Sequence, residues 1–370
     1  MKVLITGADG FLGRNLISRL NELAGIKVIK FCKGDNFSDL VSHAPQLDFI
    51  FHLAGVNRPQ DISEFTVGNI ELTSSLCELV ANSGRSIPIL FTSSTQAGMD
   101  NPYGISKLEA EKALEAHARL IDAPVLMYRL PNVFGKWSRP NYNSVVATFC
   151  YNTARDIAIT VNNALSVIDL VYVDDVIDSF ISNMSANFSG FSRLSVTPTY
   201  QVTVGGLAEQ IKEYRSSRET LVTERVGTGL ARALYSTYLS FIPKEDFAYP
   251  VKKYEDPRGV FVEMLKTKDS GQFSYFTAYP GVTRGGHYHH TKTEKFLVIK
   301  GNACFRFRNI VTNEYCEIFT EGTVPQIVET VPGWTHDITN VGVDEMVVML
   351  WANEIFDRER PDTFQSEIAH

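Results

Sequence analysis

The chain has 370 residues, 44% of them hydrophobic and 21% charged, enough for two or three domains with sizeable cores. A net charge of −7 and a pI near 5.7 argue against the basic surface that nucleic acids require, so no nucleic-acid partner is expected. The five cysteines (Cys32, Cys77, Cys150, Cys304 and Cys316) form no C-x-x-C pair, which fits a reducing compartment better than a disulfide framework. No apolar run reaches the ~18 residues of a membrane span. The opening Lys2-Val-Leu-Ile5 leaves no room for a signal peptide, so a cytoplasmic protein with no membrane partner is the expectation.

Up to about residue 240, short apolar runs alternate with helical-period segments. Strands are predicted at 2–5, 27–31, 49–53, 87–91 and 125–128, with amphipathic helices at 11–23 and 62–81. That spacing is the signature of βαβ units and of a Rossmann-like, doubly wound parallel α/β sheet. Past residue 250 helices nearly vanish. Short alternating strands are predicted at 273–278, 295–299, 304–308 and 346–351, as in an all-β sandwich or barrel. The change of pattern follows a last helix around 230–239 and predicts domains of 1–242 and 243–370.

Gly7-Ala-Asp-Gly10-Phe11-Leu12-Gly13 follows the first predicted strand and opens the first predicted helix. Glycines there permit a tight turn and let backbone N–H groups and the helix dipole meet a pyrophosphate. An NAD enzyme would place an acid on the ribose 2′-hydroxyl after the second strand. Here that position reads Phe31-Cys32-Lys33. Lys33, with Arg14 beside the glycine loop, suits a 2′-phosphate, so NADPH is the expected cofactor; a solvated loop lysine is the plainer reading.

Tyr103-Gly-Ile-Ser-Lys107 begins a predicted helix on which tyrosine and lysine four apart share a face. The ammonium is expected to lower the phenol's pKa, leaving a proton donor for a carbonyl under reduction. Tyr249…Lys253 and Tyr288…Lys292 have the same spacing, but only Tyr103 follows a strand ending in hydroxyls, Thr92-Ser93-Ser94-Thr95.

Near the C-terminus the chain reads G-x5-H-x-H-x4-E-x6-G from Gly281 through His287, His289, Glu294 and Gly301, followed by Gly333-Trp-Thr-His336 and Asn340. Histidines at i and i+2 share a strand face. His287 and His289 are therefore expected to point inward and His290 outward. Three imidazoles and a carboxylate suit Zn²⁺ or another divalent metal, with His287, His289, Glu294 and His336 as the shell. The alternative is a satisfied histidine cluster in a sheet.

These motifs carry two resemblances. G-x2-G-x2-G, Tyr103…Lys107, Tyr128-Arg-Leu-Pro-Asn132-Val-Phe-Gly135 and Val171-Tyr-Val-Asp174-Asp175-Val resemble nucleotide-sugar members of the extended short-chain dehydrogenase/reductase family. The resemblance implies that Asp39-Leu40 contacts adenine and that Leu53-Ala54 runs past the cofactor. It further implies that Asn69 supports a proton path, that Ser94 is the active hydroxyl (Thr95 second), and that Asn132 faces substrate. Where 4,6-dehydratases of that family carry Asp-Glu, this chain has Thr95-Gln96, so elimination of water is not expected. The histidine motif resembles the cupins, and Asp256-Pro-Arg258-Gly259 with Thr283-Arg284-Gly-Gly-His287 resembles their sugar-nucleotide 3,5-epimerase branch. That likeness implies His287 as a base, with Arg284 and Lys295 facing substrate. His287 thus fits both base and metal ligand.

Both halves on one chain resemble the bifunctional enzymes of capsular polysaccharide biosynthesis. The resemblance implies a UDP-activated keto-deoxy amino sugar, UDP-2-acetamido-2,6-dideoxy-4-hexulose, epimerised at C3 by the cupin. The N-terminal domain would then reduce C4 with NADPH, giving UDP-2-acetamido-2,6-dideoxy-β-L-talose on the route to N-acetyl-L-fucosamine. A homodimer is the expected assembly. Two alternatives stay open: a reductase whose cupin only binds sugar or dimerises, and a non-catalytic NADP-binding sensor.

Overall fold

A computed structural model describes residues 1–186, 188–256, 259–262, 265–267, 271–354 and 359–368. Pro257 and Arg258 of the epimerase-like motif lie outside the described residues. The chain forms two compact units, one of Met1–Ser144 with Ile168–Gln201 and one of Val145–Val167 with Val202–His370.

In the first unit, Val3, Leu4 and Ile5 are fully buried, as are Ile50 and Phe51. Apolar residues that successive positions bury on both faces belong to a parallel sheet covered by helices. Six parallel strands run in the spatial order Lys27–Phe31, Lys2–Thr6, Phe49–His52, Ile89–Ser94, Val125–Leu130 and Phe191–Leu194. Chain order reverses between Lys2–Thr6 and its neighbour Phe49–His52, and crevices for ligands open at the carboxyl ends of strands at such a reversal. Leu76 and Val80 from helix Leu72–Asn82 and Leu114 from helix Pro102–Ile121 pack on Ile50, Ile89 and Phe91. Each such side chain contributes about 1.5–3 kcal/mol by leaving water. Helix Pro102–Ile121 starts sharply because Asn101 Oδ1 accepts the Gly104 N–H at 2.8 Å and Pro102 supplies a preset φ.

The second unit holds helices Val145–Thr153, Val204–Thr220 and Gly229–Leu239 with two five-stranded sheets. One has the order Ala248–Pro250, Gln326–Glu329, Glu294–Lys300, Met346–Ala352, Gln272–Ala278. The other has Tyr315–Glu321, Asn302–Asn309, Trp334–Asn340, Thr283–Tyr288, Phe364–Gln365. Pairing in both is antiparallel. Phe296 of the first sheet meets Phe305 of the second with ring centroids 5.6 Å apart. Packing therefore groups three helices with the antiparallel strands, and this grouping does not follow the change of sequence pattern at 242/243. Helix Gly229–Leu239 buries Tyr235 and Tyr238, and its Ser236 hydroxyl donates to the Thr291 carbonyl at 2.8 Å.

Candidate active sites

The glycine turn leaves strand Lys2–Thr6 at Gly7, whose φ of +67° is left-handed. A Cβ there would lie 2.8 Å from Ala54 N and Cα, so glycine lets the first and third strand ends close on each other. At Gly13 a Cβ would meet the Gly7 carbonyl oxygen at 2.3 Å. Helix Phe11–Leu20 starts at Gly10 without a side-chain cap, which leaves its N-terminal N–H groups and dipole for an anion. These features fit a dinucleotide's pyrophosphate. Leu53 and Ala54 are half-buried beside the turn, and Ala54 donates its N–H to Thr6 Oγ1 at 3.1 Å. That hydroxyl also meets His52 Nδ1 at 2.8 Å, while His52 Nε2 meets Thr73 Oγ1 at 2.9 Å. Burial lowers His52 to about 3, so a neutral imidazole bridges strand and helix beneath the turn.

Arg14 and Lys33 are both exposed, and Lys33 Nζ lies 3.8 Å from Glu64 Oε2. Asp39 is exposed too, whereas the Leu40 side chain packs in the core with Phe31 and Leu47. Of that expected adenine pair, Asp39 is the member at the surface.

Ser94 ends the fourth strand of the parallel sheet and Tyr103 sits in the first turn of the following helix. Burial raises the Tyr103 phenol, partly offset by a hydrogen bond with Ser94. Lys107, one turn on, donates to the Thr92 carbonyl at 3.0 Å. The expected lowering of the phenol by Lys107 is thus corrected: the ammonium is anchored on the strand, and burial governs the tyrosine. Burial also lowers Lys107 to about 8, against the pull of Glu111. A Cβ at Gly55 would lie 3.0 Å from Lys107 Nζ and 3.1 Å from Asn69 Oδ1, so a larger residue would displace both. Asn69 lies in a π-helical stretch, Thr66–Glu71. Its amide donates to the Val56 carbonyl (3.0 Å) and to Ser106 Oγ (2.9 Å), and its Oδ1 accepts from Val56 N (2.8 Å). A protonated phenol hydrogen-bonded to a serine can donate a proton to a carbonyl oxygen. Asn132 is exposed, its amide donating to the Asp169 carbonyl at 3.1 Å.

In the second unit His287, His289, Glu294 and His336 place one ligand atom each within 4.8 Å of the others. A bulge makes this possible. Gly285 and Gly286 both take positive φ, and pairing with Trp334–Asn340 shifts register between Gly285 and His287. His289 Nδ1 is hydrogen-bonded to the Asp362 carbonyl oxygen, and His336 Nδ1 lies 3.4 Å from the Trp334 carbonyl oxygen. Their Nε2 atoms turn inward, 3.2 and 3.4 Å from Glu294 Oε2. Outer-shell carbonyls on Nδ1 with Nε2 convergent on a carboxylate are how histidines are oriented for a divalent cation. Nε2 of His336 is buried and makes no hydrogen bond, as a metal-ligating nitrogen would be left. Burial, then the neighbouring His336 and His289, lower His287 to about 3. Neutral and the least buried of the four, it can ligate or accept a proton.

Other expectations are redistributed. His290 points away from the cluster, yet it is buried against Tyr288 and Phe364 rather than facing solvent. Lys295 is corrected. Strand alternation sends it to the face opposite Glu294, where it is 2% exposed and pairs with Glu329 at 2.8 Å and Tyr249 OH at 3.0 Å. Burial would lower its ammonium, but Glu329 outweighs this and holds it well above the usual range. The structure does not bring Lys295 to His287. Arg284 is exposed on the histidine strand and donates to the Thr277 carbonyl at 3.1 Å.

Sequence reading missed Asp362. Its carboxylate accepts the N–H groups of His290 (2.9 Å), Thr291 (2.6 Å) and Lys292 (2.6 Å), and the Thr291 hydroxyl (2.9 Å). One acid some seventy residues downstream thus fixes the loop behind the histidines, and no local signal announces it.

A nucleotide turn under a parallel sheet, with serine, tyrosine and lysine at its carboxyl edge, defines an enzyme of the dehydrogenase/reductase type that uses a nicotinamide cofactor. The chain belongs to the NAD dependent epimerase/dehydratase family, matched over residues 3–192, and residues 254–364 match the polysaccharide biosynthesis C-terminal domain. It is 61% identical over 368 residues, 100% of this chain and 99% of the relative, to a Pseudomonas aeruginosa protein named UDP-2-acetamido-2,6-beta-L-arabino-hexul-4-ose reductase. Among solved structures it resembles the capsular polysaccharide assembling protein CapF from Staphylococcus aureus, with 38% identity, a TM-score of 0.66 and all of both chains covered. A UDP-glucuronic acid 4-epimerase from Bacillus cereus matches at TM-score 0.53 over 58% of this chain and 83% of its own. At 18% identity that likeness speaks to the fold alone.

Proposed function

We propose that this chain is an NADPH-dependent C4 reductase of UDP-2-acetamido-2,6-dideoxy-4-hexulose whose cupin domain, residues 243–370, first inverts C3. The product is UDP-2-acetamido-2,6-dideoxy-β-L-talose, a precursor of N-acetyl-L-fucosamine for capsule. The observation that carries the reading is Ser94, Tyr103 and Lys107 at one sheet edge in a chain 61% identical, end to end, to a keto-sugar reductase.

Gly7, Gly10, Phe11, Leu12 and Gly13, with Asp39, Leu53 and Ala54, would hold a nicotinamide dinucleotide, whose chemistry would be hydride donation. Lys33 and Arg14 select the 2′-phosphate. Ser94 orients the C4 carbonyl, Tyr103 delivers the proton to its oxygen, and Asn132 binds the sugar. In the cupin, Zn²⁺ on His289, Glu294 and His336 would supply Lewis-acid polarisation, with His287 as ligand or as the base at C3 and Arg284 on the substrate. A cytoplasmic homodimer is the assembly we infer; no described helix is long and apolar enough to cross a membrane.

The test is NADPH oxidation on addition of the UDP-4-keto sugar, alongside solvent deuterium entering C3 without NADPH. Turnover without exchange would make the cupin a binding or dimerising module. Absence of both would leave a nucleotide-binding sensor.

A further inference from the structure

Ser93 and Arg129 are register partners on neighbouring strands, and both reach the same buried carboxylate on helix Pro102–Ile121. Glu111 is 2% exposed. It accepts from the Ser93 hydroxyl and, at 2.9 and 2.6 Å, from Arg129 Nε and Nη2. It follows Lys107 by one helical turn, so the two side chains share a face. Lys107 in turn is bound to the carbonyl of Thr92, the residue before Ser93. Two adjacent strand residues thus hold two successive turns of the helix that carries Tyr103.

We propose that Glu111 is a positioning residue of the reductase: it supplies the counter-charge for the buried Lys107 ammonium on the helix that carries Tyr103, with Ser93 fixing the carboxylate and Arg129 sharing it. This rests on the reductase reading for its consequence, not for its geometry. The other groups around Lys107 supply no negative charge. The Phe91 ring centroid lies 5.0 Å from Nζ, His52 is neutral, Tyr103 is protonated, and Asn69 is an amide. Against the desolvation of a buried amine, the charge favouring the ammonium is that of Glu111. Arg129, with its side chain 41% exposed, competes for the same carboxylate from the solvent side. Loss of the Glu111 charge therefore makes protonated Lys107, which anchors the Tyr103 helix on the Thr92 carbonyl, harder to maintain.

The experiment is a pH titration of the Lys107 Cε resonance in ¹³C-lysine-labelled protein, assigned with Lys107→Arg, beside the alkaline limb of kcat/KM for NADPH oxidation. Glu111→Gln is expected to move both midpoints down by about one pH unit, the low end of what a neighbouring opposite charge does. Glu111→Asp, which keeps the charge, should restore them, a rescue that mere packing would not predict. Arg129→Gln, which frees the carboxylate for Lys107, should move them up, and it decides the matter if Glu111→Gln does not fold. Unshifted midpoints in Glu111→Gln, or in Arg129→Gln where that variant decides, would overturn the proposal. Wild-type protein without turnover would end the reductase reading, while the resonance titration still judges the Glu111–Lys107 pairing.

Discussion

Lys107 donates its ammonium to the main-chain carbonyl of Thr92 at 3.0 Å, two residues before Ser94, the proposed active hydroxyl. The bond ties the helix bearing Tyr103 to the strand bearing Ser94, so the distance between phenol and hydroxyl is set by secondary structure rather than by a loop. Catalytic geometry built this way tolerates little displacement. It also explains why Gly55, which leaves room for Lys107 and Asn69, cannot carry a side chain without moving both.

Tyr103→Phe should lower NADPH-dependent reduction by the 10²–10⁴-fold typical of a lost general acid and leave cofactor binding nearly intact. The proposed pyrophosphate site, Gly7–Gly13, lies at a different strand end. Fluorescence titration with NADPH and steady-state rates check the two halves of the statement, and full activity in the variant would contradict it.

Lys33→Asp should raise KM for NADPH more than KM for NADH. Lys33 is exposed and close only to Glu64 among its described ion pairs, so the substitution should not disturb the fold. Equal effects on the two cofactors would remove Lys33 from the 2′-phosphate.

Much of this was legible because the constraint was local. Glycine at positions 7 and 13 follows from backbone contacts a few residues long or across one strand, and strands such as Lys27–Phe31 were readable from apolar runs. Metal-type residues 287, 289 and 294 lie near the end of one strand, just past it and at the start of the next, so spacing brought them near each other. Lys295 was misplaced although alternation was available: next to Glu294, it had to face the other way. Asp362 could not be read at all, since its partners lie some seventy residues upstream. The change of pattern at 242/243 recorded secondary-structure type, whereas packing placed helix Gly229–Leu239 beside Thr291.

The Lys295–Glu329 pair should be structural. Lys295→Met leaves Glu329 buried with Arg218 at 3.8 Å as its remaining cation, and breaking such a pair costs about 3 kcal/mol. Urea unfolding of the full chain measures it. An unchanged midpoint would show that the pair contributes nothing.

Asp362 predicts a pH dependence. Burial would raise its carboxyl, but the histidines beside it and the N–H groups of the loop hold it well below the usual range. Because the folded value is depressed, its stabilisation is present above the ordinary aspartate pKa of about 4 and is lost as pH falls through the folded value. Asp362→Asn should therefore cost about 2 kcal/mol at pH 7, and the difference from wild type should shrink on acidification below pH 4. A difference independent of pH would contradict the charged clamp.

NADPH absorbance after addition of UDP-2-acetamido-2,6-dideoxy-4-hexulose measures directly whether this chain performs reduction at Tyr103. Oxidation of NADPH to NADP⁺ in step with reduction of the 4-keto sugar to a 4-hydroxy sugar, lost in Tyr103→Phe, is the predicted result. A protein that binds NADPH but leaves its absorbance unchanged with this sugar would contradict it.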